Sequence, residues 1–109
     1  MNYNLYLTSR FQKEAKKLNK KYPSFRQDME DLFSKLEINP LQGDSLGKSC
    51  YKVRLKIESK SKGKSGGARV ITHVHISNQT VFLLTIYDKS EKEALDKGEL
   101  AALLAQMED

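Results

Sequence analysis

The strictest alternation in the chain lies at residues 50–57, CYKVRLKI. Tyr51, Val53, Leu55 and Ile57 fall on one side, and Lys52, Arg54 and Lys56 on the other. A period of two is that of a strand with one buried face. Residues 68–76, ARVITHVHI, read the same way. Val70, Thr72, Val74 and Ile76 share one face, and Arg69, Ile71, His73 and His75 the other. Asn78 marks a hairpin turn into residues 80–88, TVFLLTIYD, rich in β-branched and aromatic types. Unbroken alternation there puts Phe82, Leu84 and Ile86 on one face. Leu83, Thr85, Tyr87 and then Lys89 fall opposite. A shorter alternation, NYNLYLT at 2–8, predicts an N-terminal strand.

The helical period appears in two stretches between these strands. Phe11, Ala15, Leu18 and Tyr22 recur on one face, and lysines at 13, 16, 17, 20 and 21 cover the rest. Ser9 with Gln12 has capping-box spacing, and Tyr22-Pro23 ends the helix. Ser24 with Gln27 opens a second helix, carrying Phe25, Met29, Leu32, Phe33 and Leu36 to a stop at Asn39-Pro40. The two form a hairpin, followed by a loop at 39–49. Ser90 with Glu93 predicts a further short helix at EKEAL. Asp96 with Glu99 opens another, with Leu100, Leu103, Leu104 and Met107 on one face.

The order of elements predicts an α+β domain spanning 1–109. It has an N-terminal strand and helical hairpin, then a three-stranded antiparallel meander and a C-terminal helix, with the helices on one sheet face. The length of 109 residues, 39% hydrophobic and 30% charged, suits one globular core. No apolar run reaches the ~20 residues of a membrane span. The start MNYNLYLTSRF lacks signal-peptide character, so a cytoplasmic location is expected. The single cysteine, Cys50, excludes an internal disulfide and a cysteine-based zinc site.

Charge sharpens this picture. The formal net charge is +5, but residues 48–69 hold eight basic residues against Glu58 alone. Such a field attracts polyanions. Packing the apolar strand faces on the helices leaves an outer face carrying Lys52, Arg54, Lys56, Arg69, His73, His75, Tyr87 and Lys89. Few carboxylates accompany them, and two histidines do not make a zinc site. The set suits RNA cleavage without metal or other cofactor. Arginine and lysine offset charge growing on the phosphate, while a lysine or phenol moves protons. Tyr87 could instead stack on a base, and its residue type slightly favours plain packing at the sheet edge. Lys48, Lys60, Lys62 and Lys64 flank this face and, with His73 and His75, are candidate RNA contacts. Gly63-Lys64-Ser65 is not a P-loop, since Glu58 stands where that motif needs glycine.

The helical hairpin FQKEAKKLNKKYPSFRQDMEDL, the loop NPLQGDSLG, the strand YKVRLKI, and above all KGKSGGARVI and LLTIYDKSEKE resemble the RelE/ParE superfamily of bacterial toxins, in its RelE- and HigB-type branch. The resemblance implies the toxin of a type II toxin–antitoxin module, a ribosome-dependent mRNA endonuclease that inhibits translation. It implies as partners a cognate antitoxin, the ribosome and mRNA, with no membrane. By position, Lys52 and Arg54 match a basic pair on the second strand and Arg69 an arginine opening the third. Lys89 matches a basic position after the fourth, two residues beyond Tyr87, and Lys56 fits by its facing. Some members carry a tyrosine in the last helix; Leu95 is the nearest position here. Two alternatives stand beside this reading: a ParE-type inhibitor of DNA gyrase, and an inactive nucleic-acid-binding module.

Overall fold

The computed structural model describes residues 2–60 and 66–107. The chain runs β1 (Asn4–Leu7), α1 (Ser9–Lys21), α2 (Phe25–Ile38), β2 (Asp44–Gly47), β3 (Cys50–Leu55), β4 (Ala68–His75), β5 (Thr80–Asp88) and α3 (Glu99–Gln106). The strands form one sheet in the order β1-β5-β4-β3-β2. The expected meander is its centre, antiparallel from β3 through β5, and β1 joins the far side of β5 in parallel.

Two elements differ from expectation. The loop at 39–49 contains β2, which pairs with β3 through the two-residue turn Lys48-Ser49. Both turn residues have positive φ, 53° and 60°. That geometry matches the twist of a hairpin but is usually built from Asn or Gly, so no composition signal announced it. The helix expected at EKEAL does not form. Its Ser90 instead donates from backbone and side chain to Asp88, and helix resumes only at Glu99. There Glu99 accepts from the Asp96 backbone N–H at 2.8 Å, the expected capping arm.

The amphipathic faces of α1 and α2 pack as their period predicts. Phe11, Leu18, Phe25, Met29, Leu32 and Leu36 meet Val53, Leu55, Val70, Val74, Val81, Leu83 and Ile86 on the inner sheet face. Phe11 and Leu36 are completely buried, each worth about 2–3 kcal/mol of apolar transfer. The cap of α1 is Thr8, one residue earlier than read. Its side chain accepts from the Phe11 N–H at 3.1 Å. The long hairpin thus covers one face. The shorter α3 joins a smaller cluster on the outer face, where Leu103 meets Cys50, Ile71, Leu84 and Tyr87.

β1 is too short to cover all of β5. Beyond it, Glu14 of α1 closes the open edge, accepting from the Ile86 N–H at 3.1 Å and the Thr85 hydroxyl at 2.6 Å. A bulge in β5 corrects the expected alternation. Ile71 pairs with Thr85 and Thr72 with Leu83, leaving Leu84 without a partner on β4. The extra residue shifts the phase. Leu83 therefore turns inward with Ile86, while Phe82 and Leu84 turn outward with Tyr87.

Candidate active site on the outer sheet face

Strand register arranges the outer face into rows. Arg54 pairs with Arg69, and Arg69 with Tyr87, so two arginines and a tyrosine are neighbours by register across β3, β4 and β5. Neighbouring strands lie ~4.8 Å apart, close enough for one phosphodiester to reach adjacent members of the row. Two residues along, the next row holds Lys52, Ile71 and Thr85. The register thus assembles Lys52, Arg54, Arg69 and Tyr87, as the sequence anticipates.

Arg69 and Tyr87 are far more enclosed than a half-exposed strand face predicts, each only 8% exposed. The Arg69 guanidinium donates through Nη1 to the carbonyls of Gly66 and Ala68. One edge of the group is thereby pinned to the start of its own strand. Arg54 is exposed, and among the described residues its side chain makes no hydrogen bond or ion pair. The Tyr87 hydroxyl is buried without a hydrogen-bond partner among the described residues. Lys92 Nζ lies 5.7 Å from its ring centroid. Burial pushes the phenol's pKa up, and Arg69 and Lys92 counter this only in part. The hydroxyl is therefore protonated at neutral pH, suited to donate a proton or hydrogen bond rather than to act as a base.

The remaining candidates divide. Lys56 is exposed and pairs loosely with Glu58 at 3.4 Å. Lys89 is partly exposed, 3.8 Å from Glu93. Lys48 sits exposed in the β2–β3 turn. Lys62 and Lys64 lie outside the described residues. Lys60 is turned inward, with its side chain only 10% exposed. Its Nζ donates to Asp88 at 2.8 Å and to the Gly67 carbonyl at 3.0 Å. His73 is half-buried with Nδ1 3.5 Å from Cys50 Sγ. Burial lowers the His73 pKa against an opposing bond from the Lys48 backbone, keeping the ring neutral at pH 7. His75 is exposed, with Nδ1 2.9 Å from the Asn78 amide. No described cluster of three or more His, Cys, Asp or Glu could hold a metal ion.

Asp88, the last residue of β5, brings a buried carboxylate to the base of the basic loop. Its side chain is 1% exposed and accepts from Lys60, from the Tyr22 hydroxyl at 2.6 Å and from Ser90. Burial alone would raise its pKa. The hydrogen bonds from Lys60, Tyr22 and Ser90 overcome that and hold the carboxyl well below the usual carboxylate range. The network anchors both ends of the basic loop and so the approach to Arg69. Gly67 completes it: at φ +49°, a Cβ there would lie 2.2 Å from the Leu55 carbonyl oxygen. Phe82 and Tyr6 also went unrecognised on this face. The bulge hid Phe82, and β1 had no assigned partner.

Solved structures share this fold. An E. coli RelE toxin mutant in the free state aligns with a TM-score of 0.66 at 20% identity, covering 99% of this chain and 100% of that one. RelE in the intact E. coli RelBE toxin–antitoxin complex aligns at 0.61 and 22% identity, over 79% and 95% of the two chains. The RelBE2 toxin–antitoxin complex of Mycobacterium tuberculosis aligns at 0.58 and 15%, over 81% and 99%. The family described as the RelE toxin of the RelE/RelB toxin–antitoxin system matches residues 4–108. With that match over nearly its whole length, and a sheet and helical hairpin of the same build, the chain belongs to the RelE family of toxins from toxin–antitoxin systems.

Proposed function

We propose that this toxin is a ribosome-dependent mRNA endonuclease acting in the cytoplasm and restrained by a cognate antitoxin. The observation that carries this reading is the row Arg54–Arg69–Tyr87. In the reaction, the RNA 2′-oxygen attacks the adjacent phosphorus and the 5′-oxygen leaves, taking up a proton. The exposed Arg54 guanidinium binds the scissile phosphate. Arg69, held by Gly66 and Ala68, offers its remaining donors to the charge that grows on the phosphoryl oxygens. Tyr87, kept protonated by burial, serves as donor to the leaving oxygen once its hydroxyl is uncovered. Lys52, Lys56 and Lys89 supply further positive charge or accept the 2′-proton. Lys48, Lys62 and Lys64 contact ribosomal RNA, whereas Lys60 acts from inside, as an anchor.

The E. coli and M. tuberculosis relatives were solved with antitoxins bound. An antitoxin for this chain would present acidic side chains to residues 48–69, where positive charge concentrates.

Arg54→Ala is the cleanest test, because no side-chain hydrogen bond or ion pair among the described residues is lost with it. Toeprinting on translating ribosomes should show cut mRNA with the wild type, and about 10²-fold slower cutting with the variant. Undiminished cutting would remove Arg54 from the active face. Inhibited gyrase with intact mRNA would replace the whole reading with the ParE-type one.

A further inference from the structure

A second row crosses the outer face at the end remote from Arg54 and Tyr87. Tyr6 of β1 pairs with Phe82 of β5, Phe82 with His73 of β4, and His73 with Cys50 of β3. His75 adds a fourth ring, one position further along the same face of β4. The ring centroids lie close: Tyr6–Phe82 at 5.4 Å, His73–His75 at 6.1 Å, His73–Phe82 at 6.2 Å and His75–Phe82 at 6.4 Å. Three of these pairs are tilted by 41–51° rather than stacked flat, so the rings do not cover one another's faces. Tyr6 is 47% exposed, His75 is exposed, and His73 and Phe82 are half-buried.

We propose that this row is a base-stacking platform for unpaired nucleobases of the RNA strand whose scissile phosphate lies at Arg54 and Arg69. The inference rests on the endonuclease reading and extends it to where the rest of the substrate runs. Arg69 and His73 are four positions apart on β4, about 13 Å at the rise of a strand. Because α3 covers Ile71 and Leu84 between the rows, a short single-stranded segment spans that distance along the β3 side, past Lys52, its phosphates at one row and its bases at the other. Lys52 lies between the rows and Lys48 beside the second. Asp44 of β2 pairs with Lys52 there, so one carboxylate shares the path with the two lysines. Stacking on aromatic rings is the usual way a protein holds single-stranded RNA with little sequence preference.

The test uses a short 2′-O-methylated RNA, which resists cleavage, carrying a fluorescent adenine analogue that is quenched on stacking. The intact chain should bind and quench it. Tyr6→Leu and His75→Leu, both at exposed positions, should each weaken binding about tenfold, and the double variant should lose the quenching with thermal stability unchanged. Arg54→Ala should weaken binding yet leave quenching at saturation. Quenching that survives in the double variant, or is absent from the wild type, overturns the platform. The same outcome follows if the double variant binds RNA normally but loses affinity for the antitoxin, which would make the row a protein contact. On programmed ribosomes, the double variant should cut mRNA more slowly while still co-sedimenting with the ribosome. Lost co-sedimentation would assign the rings to ribosomal RNA and overturn the assignment to the substrate strand. Ring-dependent quenching by a wild-type chain that cuts no mRNA on ribosomes would leave the platform standing and remove the endonuclease reading.

Discussion

Asp88→Asn tests whether the approach to the proposed active face is held by one buried carboxylate. The substitution keeps the shape of the side chain and removes its charge. It leaves the Lys60 ammonium, only 10% exposed, without the partner that now lies 2.8 Å away. Removing one member of a buried pair costs about 3–5 kcal/mol. Lys60 retains the Gly67 carbonyl and the nearby face of the Tyr22 ring. The lower end of the range therefore applies, about 3 kcal/mol. For a domain of this size that lowers Tm by about 12 °C at neutral pH. The effect has a defined pH dependence. The folded state holds the Asp88 pKa down, so the unfolded chain binds the proton first as pH falls. The stabilisation is whole above about pH 5 and is lost progressively below about pH 4. The gap between wild type and variant, followed by circular dichroism melts, should narrow on acidification. Adding Lys60→Met to Asp88→Asn should restore part of the loss, because the orphaned charge is then gone. A fall in Tm below about 3 °C, or a gap that stays constant from about pH 6 to about pH 3, would refute the anchoring role.

Two further outcomes follow from the same geometry. Glu14→Ala should cost about 1–3 kcal/mol in urea denaturation, since it leaves the Thr85 hydroxyl and the Ile86 N–H without an acceptor at the edge of β5. Replacing Lys62 and Lys64 with Ser should slow antitoxin association and flatten its salt dependence in stopped-flow measurements. Lys60 is left out of that variant because its amine is held by Asp88.

The two faces of the sheet carry different side chains. Its inner face carries the larger apolar cluster under α1 and α2. Its outer face carries the cationic and aromatic rows, with α3 packed between strands and solvent beside Tyr87. Glu99 ties the start of that helix to Lys92 at 2.7 Å and to Arg10 of α1 at 3.0 Å. The enclosure of Tyr87 thus depends on contacts drawn from opposite ends of the chain.

Periodicity alone was enough to find α1, α2, β3 and β4, because each buries one face and a buried face must repeat with its element's own period. The same logic put Lys52, Arg54 and Arg69 on a common outer surface, and it located α3 through its leucines. Other features had no local signal. β2 forms only because β3 offers it an edge, and its turn uses Lys48 and Ser49 in a conformation their types do not announce. The bulge at Leu84 is a property of two strands in register, so alternation read along β5 alone placed Phe82 on the wrong face. Lys60 read as one more solvated cation, although its role depends on Asp88, 28 residues away. Whether a charge points to solvent or into a buried pair, and which rings meet across a sheet, depends on neighbours that are distant in sequence. Those neighbours exist only once the chain has closed on itself, and so only the folded structure decides them.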